Sequence, residues 1–119
     1  MTIWGNRYMP GSGWGAATLI EAAWRASDNY PAQSPQVAFD PTGNAFSIWQ
    51  DFGGEIQGAA YTLATGWGPA RGMGVGTVEA PGGPQIAFDG NGNAFAIWHQ
   101  MANPPSGPRV NAIWVSRYE

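Results

Sequence analysis

One segment of this chain occurs twice, and this tandem repeat limits the possible folds more than any other feature. Residues 35–50 read P-Q-V-A-F-D-P-T-G-N-A-F-S-I-W-Q, and residues 84–100 read P-Q-I-A-F-D-G-N-G-N-A-F-A-I-W-H-Q. With Pro35 aligned on Pro84, eleven of the first fifteen paired positions are identical. The chain is therefore expected to build the same structural unit more than once.

Each copy contains two short apolar runs on either side of a turn. The turns are P-T-G-N at residues 41–44 and G-N-G-N at residues 90–93. Gly and Asn tolerate positive φ, and an Asp before such a turn can accept hydrogen bonds from its backbone. Each copy is therefore predicted to form a β-hairpin.

The second strand of each hairpin is apolar on both faces. Phe46 and Ile48 point to one side, while Ala45, Ser47 and Trp49 point to the other. The second copy repeats this pattern with Phe95 and Ile97 opposite Ala94, Ala96 and Trp98. A strand of this kind must be covered on both sides. One bulky and one small face favour stacked sheets, in which large side chains of one sheet fill the space beside small ones of the next.

Two further segment types recur between the hairpins. One type is I-W-G-N-R-Y at 3–8, I-Q-G-A-A-Y at 56–61 and I-W-V-S-R-Y at 113–118. The other follows Gly-Trp-Gly, which is read as a turn, at residues 16–21 and 69–79. With A and B for the hairpin strands and C and D for these two types, the order is C-D-A-B-C-D-A-B-C. Nine strands with a period of roughly 50 residues are typical of β-propeller blades of four antiparallel strands.

The permuted order predicts how the chain is divided. Residues 1–119 form a single repeat domain, with a C-D half blade at 1–34, a full blade at 35–83 and an A-B-C partial blade at 84–119. About two blades cannot close a ring, because a propeller needs at least four. We therefore expect a homo-oligomer of two to four chains that completes the ring. The third C strand either exchanges between chains or covers an edge.

Composition excludes several classes of protein. The chain has no Cys, seven Trp, 18 Gly and 10 Pro, and a net charge of −3. All five basic residues are Arg and none form a cluster, which argues against nucleic-acid and anionic-membrane partners. No apolar run reaches the length of a membrane span, and residues 1–20 lack the pattern of a signal peptide. These features do not indicate a particular cellular compartment.

The pattern P-Q-x-A-x-D-x-x-G-N-A-x-x-x-W, with N-R-Y and G-S-G-W-G-A-A-T-L-I-E, resembles a family of bacterial tandem repeats. The resemblance implies β-propellers in long secreted or surface proteins and no agreed activity. The layout is also similar to that of two-repeat bacterial lectins, whose subunits assemble into six-bladed propellers, although no matching sugar-site motif is found. The D-x-x-G-N turn resembles the Asp-box of sialidase propellers but differs in spacing.

Residues that could carry chemistry mostly have a structural interpretation. Asp40 and Asp89 could suggest calcium, yet each loop offers a single carboxylate, so a structural turn is favoured and no metal or cofactor is predicted. His99 has no nucleophile or acid that could be named as its partner. Asp51 and Glu55 would be the pair for a glycosidase, which is the least favoured function. The chain is therefore predicted not to be an enzyme.

Tryptophan gives the best functional lead, because indole rings stack on the C–H faces of sugars while Gln, Asn and Arg bind hydroxyls. Trp49 and Trp98 are assigned to the core. The candidate ligand-binding residues are Trp14, Trp67, Trp4, Trp114, Arg7, Arg117, Trp24 and Tyr30. Arg7 and Arg117 share one strand position, where a hydrogen bond between blades is also expected. The predicted function is a carbohydrate-binding, lectin-like module; the alternative is a structural or protein-interaction module without a small ligand.

Overall fold

The computed structural model describes residues 2–20, 32–51, 55–73 and 81–119, and in them the protein is all-β. The strands are β1 Trp4–Gly5, β2 Tyr8–Met9, β3 Gly13–Trp14, β4 Thr18–Leu19, β5 Gln33–Phe39, β6 Ala45–Asp51, β7 Glu55–Thr62, β8 Gly66–Trp67, β9 Arg71–Gly72, β10 Gly82–Phe88, β11 Ala94–Ala102 and β12 Val110–Tyr118. All pairings are antiparallel. The predicted fold class is confirmed at this level, and the described strands close into neither a barrel nor a propeller within one chain.

The strands form three units. The N-terminal hairpin, residues 2–20, pairs β1 with β4 and β2 with β3. The middle sheet runs β5-β6-β7, with β8 and β9 both paired to β7. The C-terminal sheet runs β10-β11-β12. In the middle and C-terminal sheets, strands β5 to β8 and β10 to β12 thus pair in chain order.

The Gly-Trp-Gly segments differ from the sequence prediction. They were expected to be turns before strand D, but Trp14 and Trp67 lie in strands and pair with Tyr8 and Tyr61. Gly13 and Gly66, which precede them, have positive φ angles of 83° and 75°. Each C-D pair therefore divides into two short ladders, which is why the described residues contain more than nine strands.

The A-B hairpins repeat even in their irregularities. The Asp40 N–H donates to the Asn44 carbonyl at 2.9 Å, as Asp89 does to Asn93. At the start of each first strand the register shifts between Gln33 and Gln36, and again between Gly82 and Gln85. The same β-bulge therefore occurs in both copies.

The core consists of two clusters, one on each face of the middle sheet. On one face Trp49 and Ala59 pack with Ile3 and Ile20 of the N-terminal hairpin. The other face packs against the C-terminal sheet, and its cluster contains Phe46, Ile48, Ile56, Ala96 and Trp98. The bulky face of β6 thus meets the small face of β11, as the two-faced pattern predicts. Trp49 and Trp98 are buried, which confirms their assignment to the core.

Candidate functional site

The candidate ligand-binding residues do not lie together. The structure distributes them over the N-terminal hairpin, its contact with the middle sheet, and β12. Trp24 and Tyr30 lie outside the described residues. No single site therefore contains the predicted set, and each group is described where it lies.

Trp4 and Trp14 are exposed on the outer face of the N-terminal hairpin. The ring of Trp14 meets that of Tyr8 edge-on, with centroids 5.5 Å apart. The Trp4 indole N–H donates to the Thr2 hydroxyl at 2.8 Å. This outer face is therefore an aromatic surface with its polar groups at the edge.

Trp67 packs beside a tyrosine, as Trp14 does, but its surroundings differ. Its ring lies 5.3 Å from that of Tyr61, as Trp14 lies beside Tyr8. A Cβ added to Gly5 would lie 3.0 Å from the Trp67 indole nitrogen, so the hairpin backbone packs directly on this ring. Trp67 is half-buried between two units, where it serves packing more than an open ligand site.

Arg7 makes the contact between units that its position predicts. Its guanidinium donates to the Tyr61 hydroxyl at 3.2 Å and lies 5.9 Å from the centre of that ring. Arg117, the equivalent residue in β12, faces no neighbouring sheet within the described residues. It lies 5.6 Å from the Phe95 ring and forms an ion pair with Glu119 at 2.8 Å. Trp114 is half-buried on the opposite face of β12, against the middle sheet.

A cleft of about 510 Å³ lies between the middle and C-terminal sheets. The residues along it include Gly58, Ala60, Arg71, Met73, Ser116 and Tyr118. Tyr118 packs on Phe46, with ring centroids 5.0 Å apart. The cleft lies beside β12 because the C-terminal sheet, in the described residues, has no strand corresponding to β8 and β9 of the middle sheet.

Sequence reasoning did not identify this cleft. Tyr118 aligns with Tyr8 and Tyr61, and the sequence of strand C alone does not distinguish the surroundings of the three tyrosines.

The two acidic residues considered for glycoside hydrolysis face each other at the end of a hairpin. Asp51 of β6 is in register with Glu55 of β7. The Gln57 amide donates to Glu55 at 3.1 Å. Neither carboxylate borders the cleft described above.

The carboxylates of the two hairpin turns are used within their own loops. Asp40 accepts from the backbone N–H groups of Thr42 and Asn44 at 2.8 and 2.9 Å, and from the Asn44 amide at 2.9 Å. Partial burial acts to raise the pKa of Asp40, but these hydrogen bonds outweigh it and lower the pKa. For Asp89, the hydrogen bond from the Asn93 amide is the main cause of a lowered pKa. Both residues act as turn caps.

The described parts of the chain carry neither a metal-binding cluster nor a membrane-spanning helix. Residues 2–20, 32–51, 55–73 and 81–119 contain no group of three His, Cys, Asp or Glu side chains that could hold a metal ion. Over the same ranges, no helix has the length and apolar character needed to cross a membrane. Comparison with family models, with curated proteins and with solved structures finds no match to this chain.

Proposed function

We propose that this protein is a non-enzymatic binding module whose first partner is a second copy of itself. The observation that carries the proposal is a difference in burial between equivalent positions. Phe46 and Ile48 of β6 are 8% and 0% exposed, because the C-terminal sheet covers them. Their equivalents Phe95 and Ile97 of β11 are 40% and 44% exposed. One sheet thus presents the face that the other buries.

The complementary face is available at the opposite end of the stack. Ile86 and Phe88 of β10 are half-buried against the middle sheet. Their equivalents in β5, Val37 and Phe39, are exposed. Docking of the β11 face of one copy on the β5 face of another would repeat the contact that already joins the middle and C-terminal sheets.

The exposed area agrees with this proposal. The chain exposes 7712 Å², whereas a folded monomer of 12.6 kDa is expected to expose about 6,200 Å². The excess of about 1,500 Å² is close to the area that one chain buries in two interfaces of standard size. A chain with one neighbour on each side would have two such interfaces.

Self-assembly is tested by measuring mass across a concentration series with light scattering. We expect two to four chains at high concentration, and a monomer for the double variant Phe95→Ser, Ile97→Thr. Leu63→Ser is the matched control, because Leu63 is an exposed apolar residue in the turn after β7, away from that face. It should assemble like the wild type. A wild-type chain that stays monomeric and folded at every concentration would overturn the proposal.

Carbohydrate binding is the second candidate, and the aromatic surface favours it. Trp4, Tyr8 and Trp14 present exposed rings, and the cleft beside Tyr118 has a volume within the usual range for small-ligand sites. A sugar stacked on these rings would change tryptophan fluorescence, so titration of a glycan panel with fluorescence detection tests this candidate. Loss of the response in Trp14→Ala would support it, and no response to any glycan would exclude it. Turnover of aryl glycosides that is lost on replacement of Asp51 or Glu55 would instead indicate an enzyme.

A further inference from the structure

The first and third C segments share residues that the second lacks. Residues 3–8 and 113–118 both read I-W-x-x-R-Y, whereas residues 56–61 have Gln and Ala at the Trp and Arg positions. In β12, Trp114 pairs with Trp98 and Tyr118 with Ala94 of β11. The N-terminal segment therefore carries the side chains that β11 already accepts from β12.

We propose that residues 2–9 of a second copy replace β12 on β11, so that each completed sheet takes its A and B strands from one chain and its C and D strands from another. The inference rests on the self-assembly proposed above and specifies its mechanism. In the free chain, β12 occupies the position that the partner's strand takes in the assembly.

The residue at one position of strand C distinguishes this exchange from simple docking. Gly58 lies where an added Cβ would be 2.6 Å from Phe46 Cε1 and 2.7 Å from Met73 Sδ, and a Cβ on Gly5 would be 2.8 Å from Ile20 Cδ1. At Gly58 these contacts come from side chains of the same sheet, whereas Gly5 also packs on Trp67 of the neighbouring sheet, where an added Cβ would lie 3.0 Å from the indole nitrogen. The equivalent residue of β12 is Val115, which is 66% exposed. If β12 stayed in place, its Val115 would lie against the Trp67 ring of the second copy. Gly5 of the second copy, which has no Cβ, already packs on that ring.

The cleft has the position that the incoming hairpin would fill. Trp67 packs beside Tyr61 and over Gly5, and the cleft borders Tyr118 and Gly58 in the equivalent arrangement. The side chain that corresponds to Trp67 is Trp14, which is 70% exposed in the free chain. When residues 2–20 of the second copy enter as one hairpin, Tyr8 replaces Tyr118 beside Phe46 and Trp14 fills the cleft.

The exchange replaces one set of contacts by an equivalent set, since both strands offer Trp, Arg and Tyr at the same register positions. Exchange of identical elements between protomers is a low-cost route to oligomers for this reason. The added stabilisation comes from covering Phe95, Ile97 and the cleft, which the free chain leaves open.

Cysteine pairs test the exchange cleanly, because the chain has no cysteine of its own. Ala96 pairs with Ser116 of β12; in the exchanged state it would pair with Asn6 of the second copy. Facing residues of paired strands are within the range that a disulfide spans. After oxidation, Ala96→Cys, Ser116→Cys should lock β12, remain monomeric, and assemble only on reduction. Asn6→Cys, Ala96→Cys should form covalent multimers on a non-reducing gel. The single variant Ala96→Cys is the control for non-specific cross-linking.

The outcomes separate the two proposals. If the oxidised, locked chain still assembles and the Asn6→Cys, Ala96→Cys chain does not cross-link, the exchange is wrong while self-assembly stands. If the wild type never assembles, both proposals fail.

Should the cysteine variants not fold, Trp14→Ala provides an independent test. This variant should raise the concentration needed for assembly by about tenfold or more, and unchanged assembly would contradict filling of the cleft. A monomer whose Trp14 fluorescence is quenched by sugars would instead assign the outer aromatic face of the N-terminal hairpin to a ligand.

Discussion

Single residues in the repeat can be compared directly with their equivalents, and the β-bulge gives the clearest case. Ser34 has φ 54° and Gly83, at the same position in the second copy, has φ 59°. This region of backbone conformation disfavours side chains with a Cβ by roughly 1 kcal/mol, and glycine enters it freely. The bulge itself is common to both copies, so only the residue type differs.

We therefore predict that Ser34→Gly raises the free energy of unfolding by about 0.5–1 kcal/mol. The reverse change, Gly83→Ser, should lower it by about 1 kcal/mol for the same reason. Urea denaturation followed by circular dichroism measures both. Two changes of the same sign would show that backbone strain at the bulge is not the cause.

The turn carboxylates predict a dependence of stability on pH. The pKa of Asp40 and of Asp89 is lowered from 3.8 in the folded chain. A lowered folded-state pKa gives stability that is fully present above the unfolded value and is lost as the pH falls through the folded value. The urea concentration at the unfolding midpoint should therefore decrease as the pH falls below about 4. The double variant Asp40→Asn, Asp89→Asn should be less stable at pH 7, and its urea midpoint should decrease less than that of the wild type as the pH falls. An equal decrease would mean that other carboxylates cause the loss of stability in acid.

At the scale of elements, glycine in strand C leaves room for side chains of the same sheet that lie over the strand. A Cβ at Gly58 would displace Phe46 and Met73, so Gly58→Ala should lower the free energy of unfolding by about 1–3 kcal/mol. Gly90 has open space around the equivalent added atom, and Gly90→Ala should change stability by no more than about 0.5 kcal/mol. Thermal unfolding of the two variants makes the comparison. Equal effects would mean that Phe46 and Met73 can move aside without cost.

The A-B hairpins could be predicted from the sequence, while the C-D pairs could be predicted only in outline. Residues 36–40 and 45–49 alternate around a turn that Asp40 caps, so local signals decide both strands and register. The short ladders around Trp14 and Trp67 depend on positive φ at the preceding glycine, and Gly-Trp-Gly alone is equally compatible with a turn.

The candidate site was harder to predict than the fold, because exposure depends on which neighbour is present. Trp14 and Trp67 have the same local sequence, and each packs beside a tyrosine, Tyr8 or Tyr61, yet in the described residues only Trp67 is covered by another unit. The strand pattern correctly indicated a bulky and a small face, but it could not tell which copy leaves a face open.

The whole molecule is more extended than a self-contained domain of this length. Its radius of gyration is 15.5 Å, whereas about 13.5 Å is expected for a compact chain of this size. The principal extents are 57 × 39 × 18 Å. An extended shape of this kind is what we expect of a chain that leaves interfaces of the proposed kind uncovered.

A chain that gains stability from its neighbours should unfold at a temperature that depends on concentration. We predict that the thermal midpoint of the wild type rises with protein concentration, while that of Phe95→Ser, Ile97→Thr stays constant. Differential scanning fluorimetry over a wide range of concentrations provides the measurement. A concentration-independent midpoint in an assembled wild type would mean that the chains fold before they associate and gain nothing from it.

The unequal faces of each sheet also determine the symmetry of any assembly. A bulky face fits a small face but not another bulky face, so neighbouring chains must follow one another head to tail. Contacts of this kind close into rotational rings, which include a ring of two chains, or extend as filaments. Every Asp40 and Asp89 turn would then lie on the same rim of the ring. The two rims would differ chemically, and such an assembly could bind a surface on one side only.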